Sequence, residues 1–227
     1  MERLMTAAIR KLKKAVGRVL SAVQKSRPGG RSGSLAYRMN RGSIRKGRVP
    51  KKYTRLLDSI SGERIIELGA AEGVLALLLA ERGAKVYALE MKRERHEEAL
   101  RLQNTWQQQG RNVQDCEMIL GDIRNHIDLL EKVDTLVAVR SIYYLRDDIE
   151  RVFLEVGRHV DRVVLCGNEG RSHDYYAAKG QPNDKLGRFN YYATAEGMSE
   201  ILEKSGYRIE TTITKGDPIV VGVRQAD

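Results

Sequence analysis

Residues 63–90, ERIIELGAAEGVLALLLAERGAKVYALE, carry the pattern that decides the fold. An apolar run closes on Glu67-Leu68-Gly69-Ala70-Ala71-Glu72-Gly73, a helix-like stretch follows, and a second apolar run ends at Glu90. Strand, small-residue turn, helix and acid-tipped strand together make half of a nucleotide-binding βαβ unit.

The turn's composition has a physical reason. Gly69 and Gly73 allow backbone angles, or a closeness of approach, that a Cβ would block, and Ala71 is nearly as small. A helix starting near Gly73 points free N–H groups at the turn, so a ligand can lie against backbone. Glu90 follows Gly69 by 21 residues. A strand-end carboxylate accepts hydrogen bonds from ribose hydroxyls at a spacing of roughly 20 residues. A dinucleotide fingerprint would need small residues at 69, 71 and 74, but position 74 is Val and Glu72 is an awkward charge beside a pyrophosphate. Glu72 is expected to face solvent.

The stretch resembles motif I of the class I S-adenosylmethionine methyltransferases, an acid-x-Gly-x-Gly-x-Gly pattern written here as Glu67, Gly69, Ala71 and Gly73, with Ala71 for the middle glycine. Their cofactor carries a sulfonium cation and no phosphate, so acids around the turn are tolerable. The resemblance extends over about residues 53–225. Cys116–Leu120 runs into Gly121-Asp122-Ile123, where the family places an acid for the adenine amino group and an apolar residue against the ring. Asp122 also suits the N-cap of a helix starting near Arg124. A fourth strand over 134–141, a helix over 147–160, a fifth strand over 162–166, a helix over 195–205 and two last runs complete the order. The implied fold is α/β, a doubly wound, mostly parallel seven-stranded sheet with helices on both faces and a basic helical extension at the N-terminus. The implied cofactor is S-adenosylmethionine, held by Glu67, Gly69, Ala71, Gly73, Glu90, Asp122 and Ile123.

Charge divides the chain into two parts, an extension over 1–52 and a catalytic domain over 53–227. Residues 1–56 hold 17 Lys and Arg against one acid, Glu2, for a net of +16, while the other 171 residues hold 23 against 29, a net of −6. Within 1–24, Leu4, Ala8, Leu12, Val16, Val19 and Val23 mark one helical face among basic residues. Such a helix suits a membrane surface, a partner helix or its own domain, and a basic, acid-poor start also fits a transit peptide. Residues 26–52, rich in Arg, Lys, Gly and Ser, read as a flexible linker or a polyanion-binding arm for RNA.

Cys116 and Cys166 lie inside apolar runs and read as buried free thiols. The histidines at 96, 126, 159 and 173 show no metal-ligand spacing, so no metal is expected. No apolar stretch is long enough to span a bilayer. An intracellular cofactor implies a cytoplasmic location, with peripheral contact at the cytoplasmic face of the membrane through residues 1–25.

The acceptor is narrowed by what is missing. The family's base-amine methylators carry an Asn/Asp-Pro-Pro-aromatic motif after the fourth strand, where this chain has Arg140-Ser141-Ile142-Tyr143. Cys166 sits between Leu165 and Gly167, outside the Pro-Cys or Thr-Cys context of cytosine methylators. O-methylation, or N-methylation of a small amine, remains. The long segment 167–193, GNEGRSHDYYAAKGQPNDKLGRFNYYA, is placed to cover the acceptor, and its tyrosines suit a sugar or an aromatic group. His173 with Asp174 is the expected general base, and Tyr143, Tyr144 and Arg140 are placed to orient the acceptor. The expected activity is therefore O-methylation of a glycan, lipid-linked or other small acceptor. An RNA methyltransferase and a non-catalytic cofactor-binding scaffold are the alternatives.

Overall fold

The computed structural model describes residues 35–48, 51–168 and 187–225. The amphipathic segment 1–24 and most of the 167–193 segment, including His173 and Asp174, lie outside the described residues. The sheet is built from β1 (Arg64–Leu68), β2 (Lys85–Glu90), β3 (Cys116–Leu120), β4 (Thr135–Val139), β5 (Arg162–Cys166), β6 (Tyr207–Ile213) and β7 (Ile219–Arg224), in the order β3-β2-β1-β4-β5-β7-β6. Strands β1 to β5 are parallel, and β7 enters antiparallel beside β5 and pairs with β6. The expected seven-stranded fold is what the chain adopts, with strand ends within a residue or two of the sequence reading.

Alternation along each strand explains the two-sided core. Ile65, Val137, Val164 and Val221 point into one layer, and Ile66, Leu136, Val163 and Val220 into the other. Strands covered on both faces read as unbroken apolar runs, as these do. The first layer packs α3 (Val74–Glu81), whose residues from Val74 to Ala80 are all buried. A helix apolar on every side belongs in an interior. The second layer packs α5 (Ile149–His159) and α6 (Ala195–Lys204) through Val152, Phe153, Val156, Met198 and Leu202. Both cysteines are buried and neither forms a disulfide.

Within the stretch expected to be a flexible linker or polyanion-binding arm, the described residues Leu35–Arg45 form a helix, α1, and a second helix, α2, spans Lys51–Ser59. The reason lies on α4 (Arg93–Gln108), where Glu98 is fully buried. Its carboxylate accepts from Arg41, Arg45 and Arg101, each at 3.0 Å. A buried carboxylate needs such partners, so arginines that look like a solvated arm are consumed in docking α1. Trp106 Nε1 donates to the Ile44 carbonyl at 2.9 Å, and Ile44 itself is buried. The Arg111 guanidinium lies 3.4 Å from the centre of the Trp106 ring. Among the described residues no helix is long and apolar enough to cross a membrane.

Candidate active site

Strand order reverses between β1 and β4, and a crevice opens there at the carboxyl ends of the strands. It holds a cavity of about 550 Å³, within the range of small-molecule sites. Glu67, Gly69, Ala71, Glu90, Asp122 and Ile123 all line it. Gly73 does not: it caps α3, and a Cβ there would lie 2.7 Å from Met118 Cε.

The glycine turn is held in the left-handed region at three alternate positions, Gly69 (φ 73°), Ala71 (φ 53°) and Gly73 (φ 70°). Ala71 has a Cβ and adopts this conformation at a cost. Its N–H donates to Glu90 Oε2 at 2.8 Å, which offsets that cost. Glu90 Oε1 accepts from Lys92 N, also at 2.8 Å. Glu90 therefore braces the turn as well as lining the cavity, and its oxygens retain lone pairs for a ligand's hydroxyls. At Gly69 a Cβ would lie 2.7 Å from Ser141 Cβ, so the turn and the β4 loop need a glycine to approach. Ser141 Oγ donates to the Leu68 carbonyl at 2.6 Å and closes that contact.

Three carboxylates along this wall are buried: Glu67, Glu72 and Glu90. The burial of Glu72 corrects its expected solvent exposure, because the tight turn folds it inward to line the cavity. Burial pushes the Glu67 carboxyl up to about 8; a hydrogen bond from the Ala76 backbone opposes this and the charge of Glu90 adds to it. Glu67 Oε2 has no hydrogen-bond partner among the described residues. Burial also works to raise Asp122, but Arg124 outweighs it through side-chain and backbone N–H bonds and holds that carboxyl below its usual range. Arg124 N and Nε each lie 3.0 Å from Asp122 Oδ1, so the N-cap reading is realised at a residue that also lines the cavity. Arg124 reaches Asp148 as well, at 2.9 Å.

On the far side, Arg140 follows β4 with φ 54°, donates its backbone N–H to the Cys166 carbonyl at 2.7 Å, and pairs with Asp217. Tyr143 is buried and its ring centre lies 4.8 Å from that of Tyr144, which is half exposed. Arg140, Tyr143 and Tyr144 thus share the cavity with the glycine turn. Tyr53 of α2 also lines it and escaped the sequence reading. Burial raises its hydroxyl well above the ordinary value, with Glu67 and Glu72 adding to the effect. The missed signal was a lone tyrosine on the helix directly before β1.

Residues 66–162 match the family model described as a methyltransferase domain, a span running from the glycine turn through Glu90, Asp122 and Arg140. Residues 66–162 form a methyltransferase domain, and the fold is that of the class I, S-adenosylmethionine-dependent methyltransferases. Among solved structures, this methyltransferase is similar to magnesium protoporphyrin IX methyltransferase from Synechocystis PCC 6803 with S-adenosylhomocysteine bound. The TM-score is 0.56 at 15% identity, covering 97% of this chain and 100% of that one. It is also similar to the N-terminal domain of EvdMO1 with S-adenosylhomocysteine bound, with a TM-score of 0.52 at 19% identity, covering 77% and 80% of the two chains. At these identities the likeness is one of fold. No curated protein matches the sequence. The wall fits such a cofactor: buried Glu72 and Glu90, beside a Glu67 whose Oε2 has no hydrogen-bond partner among the described residues, suit a ligand bearing a sulfonium and an ammonium.

Proposed function

We propose that the enzyme methylates an oxygen of a glycan, lipid-linked or other small acceptor. The observation that carries this reading is the cavity, which brings the glycine-turn wall together with Arg140 and the Tyr143–Tyr144 pair in a space suited to small molecules. The Arg140-Ser141-Ile142-Tyr143 segment adds support. Its serine hydroxyl is spent on the Leu68 carbonyl and its first tyrosine is buried, so nothing there reproduces an amine-holding proline motif. One related structure, the EvdMO1 domain, was crystallised in the presence of S-adenosylhomocysteine and D-fucose.

In this reading Glu90 holds the ribose, Asp122 and Ile123 the adenine, and Glu67 the methionine end. When bound, the cofactor supplies an electrophilic methyl group. The chain then has to align the acceptor oxygen and take its proton. Tyr144 and Arg140 orient the acceptor, and His173, set by Asp174, receives the proton. The amphipathic segment 1–25 lies on an anionic membrane surface near a lipid-linked acceptor. Docking of Arg41 and Arg45 onto Glu98 removes cations from any RNA-gripping arm, and this weighs against the nucleic-acid alternative.

Methyl-labelled S-adenosylmethionine incubated with the full-length protein and a cell extract tests the reading. Label is expected in the lipid, glycan or small-molecule fractions. Label confined to RNA would overturn it.

A further inference from the structure

A second cavity of about 220 Å³ adjoins the first and shares Tyr53, Val139 and Arg140 with it. Its apolar wall is made by Leu56, Val139 and Ile219, and its charged groups are Arg55, Arg140 and Asp217. Two guanidinium groups therefore face one carboxylate. That carboxylate is already in use, because Asp217 pairs with Arg140.

Arg55 is the informative residue. Its Nη1 donates to the Lys215 carbonyl, presented by the turn through Gly216 (φ +76°), while its Nη2 is buried and has no hydrogen-bond partner among the described residues. Four other arginines also carry a buried nitrogen with no hydrogen-bond partner among the described residues: Arg41, Arg111, Arg162 and Arg224. Each of those four has a carboxylate within ion-pair distance. Arg55 has none among the described residues. A guanidinium set into a partly apolar cavity with an unmet donor carries a desolvation cost that an oxyanion would remove. The peptide at Arg140 points the same way, since a non-glycine residue held at positive φ is a strain that clusters at ligand sites.

We infer that this second cavity is an oxyanion subsite in which Arg55 and Arg140 hold a carboxylate or phosphate group of the acceptor, placing the methylated oxygen toward the cofactor cavity. The assignment to the acceptor rests on the proposed function; the oxyanion site itself does not.

The test uses full-length protein with ¹⁵N-labelled arginine, saturated with S-adenosylhomocysteine and titrated at fixed ionic strength with inorganic phosphate or with acetate. The side-chain Nε–H signal of Arg55, identified by its loss in Arg55→Lys, is expected to shift saturably. Saturation by phosphate alone assigns a phosphate ester, and saturation by acetate alone a carboxylate. A shift that only tracks ionic strength, with neither probe saturating, overturns the inference. In Arg55→Gln, read at the Arg140 signal, the probe should bind about tenfold more weakly, as for a lost charge-assisted hydrogen bond. S-adenosylhomocysteine affinity should stay within about twofold. Equal weakening of both would give the cavity to the cofactor's own carboxylate and overturn the acceptor assignment. Failure of the wild-type protein to bind S-adenosylhomocysteine would sink the methyltransferase reading, while leaving the Arg55 shift to be judged alone.

Discussion

Around the glycine turn the cavity wall is built from the buried acidic residues Glu67, Glu72 and Glu90, with Asp122 at its edge; beyond β4 the charged groups are Arg55 and Arg140, the latter paired with Asp217. The first region comes from one continuous βαβ segment, whereas the second is assembled from α2, the β4 loop and the β6–β7 turn. The two ends are thus preset for opposite ligand charges. They also differ in construction. The acidic end can be kept by a local sequence pattern, while the basic end depends on three distant segments meeting.

The largest expected effect that would break the contrast is at Glu67. Its folded-state carboxyl, at about 8, lies above its ordinary value of 4.5. The folded protein therefore holds this proton where the unfolded chain has lost it, so the stability it gives is full below about pH 4.5 and is lost as pH rises toward 8. Glu67→Gln should flatten that dependence and stabilise the cofactor-free protein by a few kcal/mol near pH 8, read by urea unfolding at pH 5 and 8. Parallel curves for the two proteins would mean that the acidic wall is not uncompensated.

Glu90→Ala comes next. It strips Ala71 of its partner and the ribose of its acceptor, and should weaken S-adenosylhomocysteine by about 2 kcal/mol, near thirtyfold, by calorimetry. Unchanged affinity would detach the turn from the cofactor. Arg140→Gln sharpens the other end: transfer should slow about tenfold, with cofactor affinity held within about twofold. A loss confined to cofactor affinity would erase the distinction between the two regions. The smallest effect is expected for Arg124→Ala. Its side chain is one-third exposed, so releasing Asp122 should change cofactor affinity by under about 1 kcal/mol.

Legibility followed the same division. The turn, Glu90, Asp122 and the strand order could be read because each depends on local spacing and on the apolar alternation of neighbouring residues. Glu72 was misread because only the left-handed turn, not its composition, shows that it folds inward. Tyr53 and Arg55 were invisible for a different reason: Arg55 donates to a carbonyl in the distant β6–β7 turn, and Tyr53 takes its setting from Glu67, Glu72 and Arg140, which only the fold brings to it. The helix α1 was missed because its arginines answer a single buried glutamate on α4, a long-range pairing that composition represents only as charge.

Trp106 is the chain's one tryptophan, and its indole is sealed beneath α1 by the Ile44 carbonyl and the Arg111 guanidinium. Its emission is therefore a built-in optical gauge of that helix. A red shift at lower urea than the loss of far-ultraviolet ellipticity would reveal α1 peeling away first, whereas coincident transitions would make it part of a single cooperative unit with the sheet.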